Sequence, residues 1–376
     1  MKFTAAALLL VAPLALAGAV PKPERKITYD GYKAYRIATH GDAKSVKGKL
    51  ASFAVVPFNL NTNEHFDVAI PGDEVAAFEA LGFEAEVLHN DLGADIMTEG
   101  TFAPYQEVSA QAVPSLSWFD SYHAYADHVK FFNDLQGAFP NVSEIIDIGA
   151  SSQGRQLFGI HIWGSGGKGS KPAIYFHGTV HAREWITAKV VEYLAYNFLT
   201  QYSSDATVKA IRDTYDIYIL PFVNPDGFVY TQTNDRLWRK NRQSRSGASC
   251  VGTDINRNWP YKWELTGGAS TDPCDETYKG KAAGDTPENK ALVAFTQSLT
   301  NGKGIKLYID WHSYGQYILF PYGTDYIQDV AKAEFAWTIE LRPKGSGSGG
   351  FVLPAAQILP SAIEQWEGMK YLLAVI

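Results

Sequence analysis

Lys171-Pro-Ala-Ile-Tyr-Phe-His177-Gly-Thr-Val-His181-Ala-Arg-Glu184 passes from one periodicity to another. Lys171 to Phe176 is short, apolar and β-prone, and from Trp185 to Thr200 the residues Ile186, Val190, Leu194 and Phe198 recur at helical spacing. The stretch predicts a strand handing over to a helix, and in open α/β sheets ligand sites lie outside the carboxyl ends of strands. An imidazole and a carboxylate three positions apart at that place, His181 and Glu184, read as part of a zinc site. A catalytic zinc takes three protein ligands and keeps one position for water, so a distant partner is required.

The same alternation recurs on both sides. Candidate strands are Glu144 to Ile148, Phe158 to Trp163, Ala173 to Phe176, Ile217 to Pro221, Ile305 to Trp311 and Phe335 to Leu341. A helix from Ser117 to about Leu135 opens this region, and Ser361-Ala-Ile-Glu364 has the capping-box pattern of a helix that runs to about Val375. The expected fold is α/β, with a mixed, largely parallel sheet flanked by helices. Upstream, Tyr32 to Ile37, Phe66 to Ile70 and Phe83 to Leu88 alternate like strands around a helix at Asp73 to Ala80, which predicts a small α+β domain. Thr98 to Pro114 has little periodicity and suits an exposed connector, and Gly345 to Gly350 is a Gly/Ser loop.

Composition bounds the function classes. The 376 residues are 46% hydrophobic and carry a net charge of -7 with no block of like charges, which fits large cores and gives no basic face for nucleic acid. Met1 to Ala17 has Lys2, an apolar run from Ala5 to Leu16 and the small-x-small end Ala15-Leu16-Ala17, the pattern of a secretory signal. That run is shorter than the roughly 20 apolar residues of a membrane span, and no other stretch qualifies. Export implies an oxidising compartment, so the only two cysteines, Cys250 and Cys274, are expected to form one disulfide; two thiols 24 apart lack zinc-ligand spacing. Asn141-Val-Ser143 is a glycosylation sequon.

Ile305 to Trp311 leads directly into His312, the candidate third ligand at the end of another strand. Asp254 is placed to orient a zinc imidazole through its free N–H. Arg236, Arg239, Arg242 and Arg257 offer planar guanidiniums, of which one near a hydrolytic zinc can stabilise an oxyanion and another can dock a carboxylate. A carboxylate beside a scissile bond belongs to a peptide C-terminus. Glu340 lies inside the otherwise apolar strand Thr338-Ile-Glu-Leu-Arg342, where an unpaired charge is costly, and it is the natural general base.

Taken in order, His181-Ala-Arg-Glu184-Trp, Arg236-Leu-Trp-Arg239-Lys, Asp254-Ile-Asn-Arg257-Asn-Trp, His312-Ser-Tyr and Thr338-Ile-Glu-Leu-Arg342 resemble the zinc metallocarboxypeptidases of pancreatic carboxypeptidase A type, with the secreted fungal members nearest in character. The resemblance implies residues 1–17 as signal peptide, 18–112 as an activation propeptide covering the site, and 113–376 as the catalytic domain. It implies one zinc on His181, Glu184 and His312, Glu340 as base and acid, and Arg239 on the scissile carbonyl and oxyanion. Asn256, Arg257, Ser313 and Tyr314 would hold the substrate's end, with Arg183 assisting its entry, and Cys250 with Cys274 would match the family disulfide. The substrate partners are peptide and protein C-termini, trimmed outside the cell by a monomer, with a preference for hydrophobic or aromatic ends expected from family type.

One departure stands out. His312 and Glu340 are 28 positions apart, where the family pattern has a much longer stretch that supplies a helix, a mobile tyrosine and the base of the specificity pocket. None of these can be carried over, Tyr322 and Tyr326 included. Either the chain is a true variant or coding segments are omitted, and a zinc- and peptide-binding pseudoenzyme is the alternative to a peptidase. An amidohydrolase of related fold is a third reading, which the Asn256-Arg257 pair disfavours. No Lys or Arg lies between Lys49 and Lys130, so the activating protease is expected to be non-trypsin-like and to cut between about Gly100 and Pro114.

Overall fold

The computed structural model describes residues 26–59, 63–100, 102, 104–109, 111–265, 267–320, 322–344 and 350–376. The signal-peptide stretch and residues 345–349 of the Gly/Ser loop lie outside the described residues.

The N-terminal unit contains β1 (Lys33–Ala38), α1 (Ala43–Leu50), β2 (Val56–Pro57), β3 (His65–Ile70), α2 (Val75–Glu79), β4 (Ala85–His89) and α3 (Leu92–Thr98). Its sheet is antiparallel in the order β2-β3-β1-β4. Period-two alternation gives the sheet two distinct faces. Tyr35, Ile37, Phe66, Val68 and Ile70 pack with Val46, Leu50 and Phe78 into a core of the unit's own. Ala34 and Ala69 turn the other way and join Phe58 against Leu237, Phe351 and Val352 of the second unit. Asp67 shares the parity of Ala69, and Arg36 is its register partner on β1. The helices α1 and α3 add to the one expected at Asp73 to Ala80. Each is short, and each is opened by an aspartate cap, Asp42 or Asp91.

The second unit contains α4 (Tyr125–Ala138), β5 (Ser143–Ala150), β6 (Gln156–Ile162), β7 (Ala173–Gly178), α5 (Trp185–Thr200), α6 (Ala206–Thr214), β8 (Asp216–Leu220), α7 (Pro225–Thr233), α8 (Pro287–Asn301), β9 (Ile305–Ser313), β10 (Ile318–Leu319), α9 (Tyr322–Asp329), β11 (Phe335–Leu341) and α10 (Ile358–Val375). Sheet order is β10-β11-β9-β7-β8-β6-β5, with the central strands β11, β9, β7 and β8 parallel and antiparallel strands outside them. The fold is α/β with a mixed sheet flanked by helices. One face packs on α4, α5, α6 and α10 through Ile174, Phe176, Ile309 and Trp311; the other packs beneath α8 and α9 through Tyr175 and Tyr308. The central strands are apolar on both faces because both are covered.

Three local expectations need correction. The helix expected from Ser117 begins only at Tyr125, because Trp118 and Phe119 enter the core through a 3-10 turn, Leu116–Asp120, and the chain then extends before α4. The capping box at Ser361 is not a helix start: α10 opens at Ile358, and Ser361 is buried inside it. The connector is also less free than its composition suggests. Glu99 is buried, Phe102 lies 5.5 Å from the Trp185 ring, and Tyr105 donates to Asp134 at 2.9 Å. Between β9 and β11 lie only the two-residue edge strand β10 and the short helix α9, and Ile318 and Phe320 are exposed at the sheet edge.

Candidate metal centre and substrate cavity

The carboxyl ends of three adjacent parallel strands build the site. β7 ends at Gly178, Thr179 turns with a positive φ of 55°, and the chain delivers His181 and Glu184 just before α5. β9 carries His312 near its end, and Glu340 on β11 is its register partner. Ligand atoms of His181, Glu184 and His312 lie within 4.8 Å of one another, and all three residues are buried. Glu184 Oε1 is 2.8 Å from His181 Nδ1 and its Oε2 is 2.9 Å from His312 Nδ1, while the two Nδ1 atoms are 3.0 Å apart. Burial alone would raise the Glu184 pKa, but the two imidazoles hold it well below the carboxylate range. Two imidazole nitrogens and one ionised carboxylate converging in a buried corner match the donor set of a catalytic zinc.

Asp254 braces two of the neighbours at once. Its Oδ1 is 3.3 Å from His181 Nε2, and its Oδ2 accepts from Arg239 Nη2 at 2.9 Å and Nε at 3.2 Å. Burial opposes its charge, yet Arg239 and His181 hold its pKa well below the ordinary value. The backbone N–H of Asn256 adds a hydrogen bond to Oδ1 at 2.9 Å, which ties the 3-10 turn Ile255–Arg257 to the same carboxylate.

A cavity of about 420 Å³ opens over this corner, lined by His181, Glu184, Arg239, Asn256, Arg257, His312, Ser313, Tyr314 and Glu340. Glu340 Oε2 and Asn256 Oδ1 are buried without a hydrogen-bond partner among the described residues. Burial pushes the Glu340 pKa up to about 8, with Glu184 adding to the rise and His312 and Arg239 opposing it. Arg257 is steadied by Gly268 O at 2.7 Å and Asn256 O at 3.2 Å. Tyr317, Leu319 and Thr338, all uncharged, also line the cavity.

Other arginines go elsewhere. Arg236 makes a two-point contact with Glu99, Nε to Oε2 and Nη2 to Oε1 both at 2.6 Å, and stacks 3.8 Å over Trp185. Arg242 stacks over Tyr230 at 3.6 Å. Arg183 is buried, donates to Leu237 O at 3.1 Å and to Glu276 at 3.2 Å, and reaches the carbonyls of Pro57 and Phe58 at 3.5 Å. The cavity has a lid from the N-terminal unit, Arg36, Phe58, Asn59, Asn63, Glu64 and His65, and Gly315, Lys344 and Phe351 complete its lining. Tyr314 donates to Asp67 at 2.6 Å, and Asp67 also accepts from Arg36 at 2.8 Å. Away from the site, Cys250 and Cys274 form a disulfide, and Asn141 is exposed in the turn before β5.

The sequence reading missed Asp310, whose Oδ2 lies 2.9 Å from His312 Nε2. Its signal was present: it is an acid inside an apolar strand, the same argument that singled out Glu340. Asp67 and Phe58 were beyond such reasoning, because Asp67 meets Tyr314 across 247 positions.

Comparison with known proteins agrees with this architecture. The zinc carboxypeptidase family model matches residues 128–330. The metallocarboxypeptidase A of Arthroderma otae is 40% identical over 93% of this chain and 94% of its own length, and that of Trichophyton rubrum is 39% identical over 98% of each. These alignments extend over 406 and 426 positions, longer than this 376-residue chain, so the relatives hold stretches absent here. Among solved structures, thrombin activatable fibrinolysis inhibitor superposes with a TM-score of 0.77 over 92% of this chain and 98% of its own, and carboxypeptidase A from Helicoverpa armigera with 0.74 over the same shares. Both are 23% identical, so they speak to the fold of the two units and not to substrates. With a matched family model over more than half its length and relatives aligned along nearly all of it, the chain belongs to the zinc carboxypeptidase family, a family of hydrolases.

Proposed function

We propose that the protein is a secreted zymogen that removes single amino acids from the C-termini of extracellular peptides and proteins, with one zinc per chain held by His181, Glu184 and His312. The observation that carries this reading is the shared cavity. It joins the three-ligand corner, the unpartnered Glu340 carboxyl and the Asn256-Arg257 pair, which is a hydrolytic centre beside a carboxylate dock.

Zinc bound there would supply Lewis acidity and lower the pKa of water beside it. Arg257 and Asn256 hold the terminal carboxylate of the substrate, which sets the last peptide bond near Glu340. Arg239, locked by Asp254, turns its remaining N–H donors to the scissile carbonyl, where negative charge develops. Glu340 takes a proton from the attacking water and returns it to the leaving amine. An internal peptide bond brings no carboxylate to the Asn256-Arg257 dock, which is the origin of exopeptidase selectivity. Tyr317, Leu319 and Thr338 favour hydrophobic or aromatic C-terminal residues, since none carries a charge to meet a charged side chain. Ser313 and Tyr314 also line the cavity, whereas Arg183, assigned to substrate entry from the sequence, is buried outside the lining and touches it only through the Phe58 carbonyl.

In the same reading residues 18–112 are the activation segment. Phe58 and the Asp67–Tyr314 hydrogen bond occupy the substrate's path, and the Glu99–Arg236 pair clamps the end of α3. Among the described connector residues Gln106, Glu107, Ser109, Gln111 and Val113 are exposed, so a protease that does not need Lys or Arg has its target there. Cleavage past Trp118 would remove core, because Trp118 is buried and its carbonyl accepts from Lys189 at 2.6 Å. Asn141 stands free for glycosylation on the exported chain.

Zinc-loaded, processed protein should release the last residue from N-blocked dipeptides with a free C-terminal carboxylate and leave their C-terminal amides intact. Equal turnover of both, or of neither, would overturn the proposal.

A further inference from the structure

The opening sequence stretch contains a second histidine, His177, to which the reaction assigns no role. It is fully buried on β7, and its register partner on β9 is Asp310. Alternation along β9 puts Tyr308, Asp310 and His312 on one side of the strand. Together the two strands carry a buried polar file: Tyr308 Oη lies 2.6 Å from His177 Nε2, His177 Nδ1 lies 3.3 Å from Asp310 Oδ1, and Asp310 Oδ2 lies 2.9 Å from His312 Nε2.

We propose that Asp310 and His177 are positioning residues for the metal ligand His312, with Tyr308 setting the tautomer of His177. An imidazole can turn over about its Cβ–Cγ bond and present either ring nitrogen. An acceptor behind His312 fixes the proton on Nε2 and leaves Nδ1 facing Glu184 and His181. Asp310 needs fixing in turn. A phenol that donates to His177 Nε2 leaves His177 Nδ1–H to donate to Asp310, and burial favours the neutral imidazole this requires. His177 Nδ1, Asp310 Oδ1 and His312 Nε2 are buried and none makes an aligned hydrogen bond among the described residues, so the file is held together at these points by the close ion-pair approaches of 3.3 Å and 2.9 Å. His181 is braced by Asp254 from a loop; His312 is approached from within the sheet, by side chains carried on the paired strands β7 and β9.

This inference rests on the zinc reading of the site, and the experiment separates the two. Zinc affinity of the full chain is measured by chelator competition, and cobalt is substituted to record its d–d absorption, for the parent, Asp310→Ala, His177→Phe, His177→Gln and Asp254→Asn. Loss of a partner behind a ligand histidine weakens metal binding about 10- to 100-fold. Asp310→Ala should fall in that range with a shifted cobalt spectrum, His177→Phe should weaken binding by a smaller factor, and His177→Gln, which can both accept from Tyr308 and donate to Asp310, should restore most of the difference. A parent that binds no zinc overturns the metal reading and this inference together. A parent that binds zinc, with Asp310→Ala and His177→Phe within about twofold of it and an unchanged cobalt spectrum, overturns this inference alone. Equal loss in His177→Gln and His177→Phe overturns the role given to His177, because restoring an acceptor and a donor at that position would then do nothing for the site. If Asp310→Ala does not fold, the His177 pair and its cobalt spectra decide by the same criteria.

Discussion

Truncating Asp67 to alanine should unlock the uncleaved protein. The carboxylate is fully buried and accepts the Tyr314 hydroxyl at 2.6 Å across the contact between the two units. Its other partner, Arg36, belongs to the same sheet as Asp67, so only the Tyr314 bond is lost from the contact itself. A hydrogen bond to a charged group contributes about 1.5–3 kcal/mol. At about 1.4 kcal/mol per decade, the population with the N-terminal unit lifted from the cavity should rise roughly 10- to 100-fold. Initial rates of blocked-dipeptide hydrolysis by uncleaved, zinc-loaded Asp67→Ala protein report that population while it is small, and they should rise by the same factor. Asp67→Asn keeps an acceptor and should give a smaller rise. After the N-terminal segment is removed, all three proteins should turn over alike, because Asp67 leaves with that segment. A variant whose N-terminal unit has unfolded would show the fully processed rate before cleavage, which separates local unlocking from general loss of the unit. Rates in uncleaved Asp67→Ala within about twofold of the parent, alongside normal rates after processing, would refute the reasoning.

Three further outcomes follow from the site. Glu340→Gln should lower kcat by about 10²- to 10⁴-fold while chelator competition finds zinc affinity little changed, since Glu340 belongs to the proton-transfer step. Arg257→Ala should raise KM for substrates with a free carboxylate and narrow their advantage over amides, losing about 1.5–3 kcal/mol of binding that steady-state kinetics on the two substrate series can read. In metal-free protein the pH dependence has a definite sign. Glu340 is raised to about 8 in the fold, so between the ordinary carboxyl range and that value the folded chain holds a proton that the unfolded chain has released. Thermal stability of the metal-free protein should therefore fall as pH rises through that window, and Glu340→Gln should flatten the slope; equal slopes in the two proteins would count against a buried, neutral Glu340.

Much of the second unit was readable because its periodicities are strong and its chemistry is local. The β7-to-α5 handover needed only a β-prone run followed by Ile186, Val190, Leu194 and Phe198, and the structure has β7 ending at Gly178 and α5 starting at Trp185. The errors have physical causes. Trp118 and Phe119 are as apolar as any helix stripe, but they enter the core from a 3-10 turn, and a hydrophobicity pattern does not distinguish the two. Ser361 and Glu364 have capping spacing, yet α10 gains its first turn upstream, where Ile358 is fully buried in the core. α1 escaped notice because Val46 and Leu50 are its only buried residues. In the site, residues whose chemistry is odd for their place, such as Glu340 in an apolar strand, were legible one at a time. Contacts such as Asp67 with Tyr314, Glu99 with Arg236 and Arg183 with the Phe58 carbonyl arise only when two units meet.

The two faces of the N-terminal sheet carry one more implication. Phe66, Val68 and Ile70 turn inward while Asp67 and Ala69 turn toward the neighbouring unit, all on a single six-residue strand. A slip of one residue in β3 would drive the aspartate into the small core and bring the large apolar side chains out over the cavity. The small core and the Asp67–Tyr314 contact thus depend on the same parity: the register that turns Phe66, Val68 and Ile70 inward is also the one that turns position 67 toward the second unit.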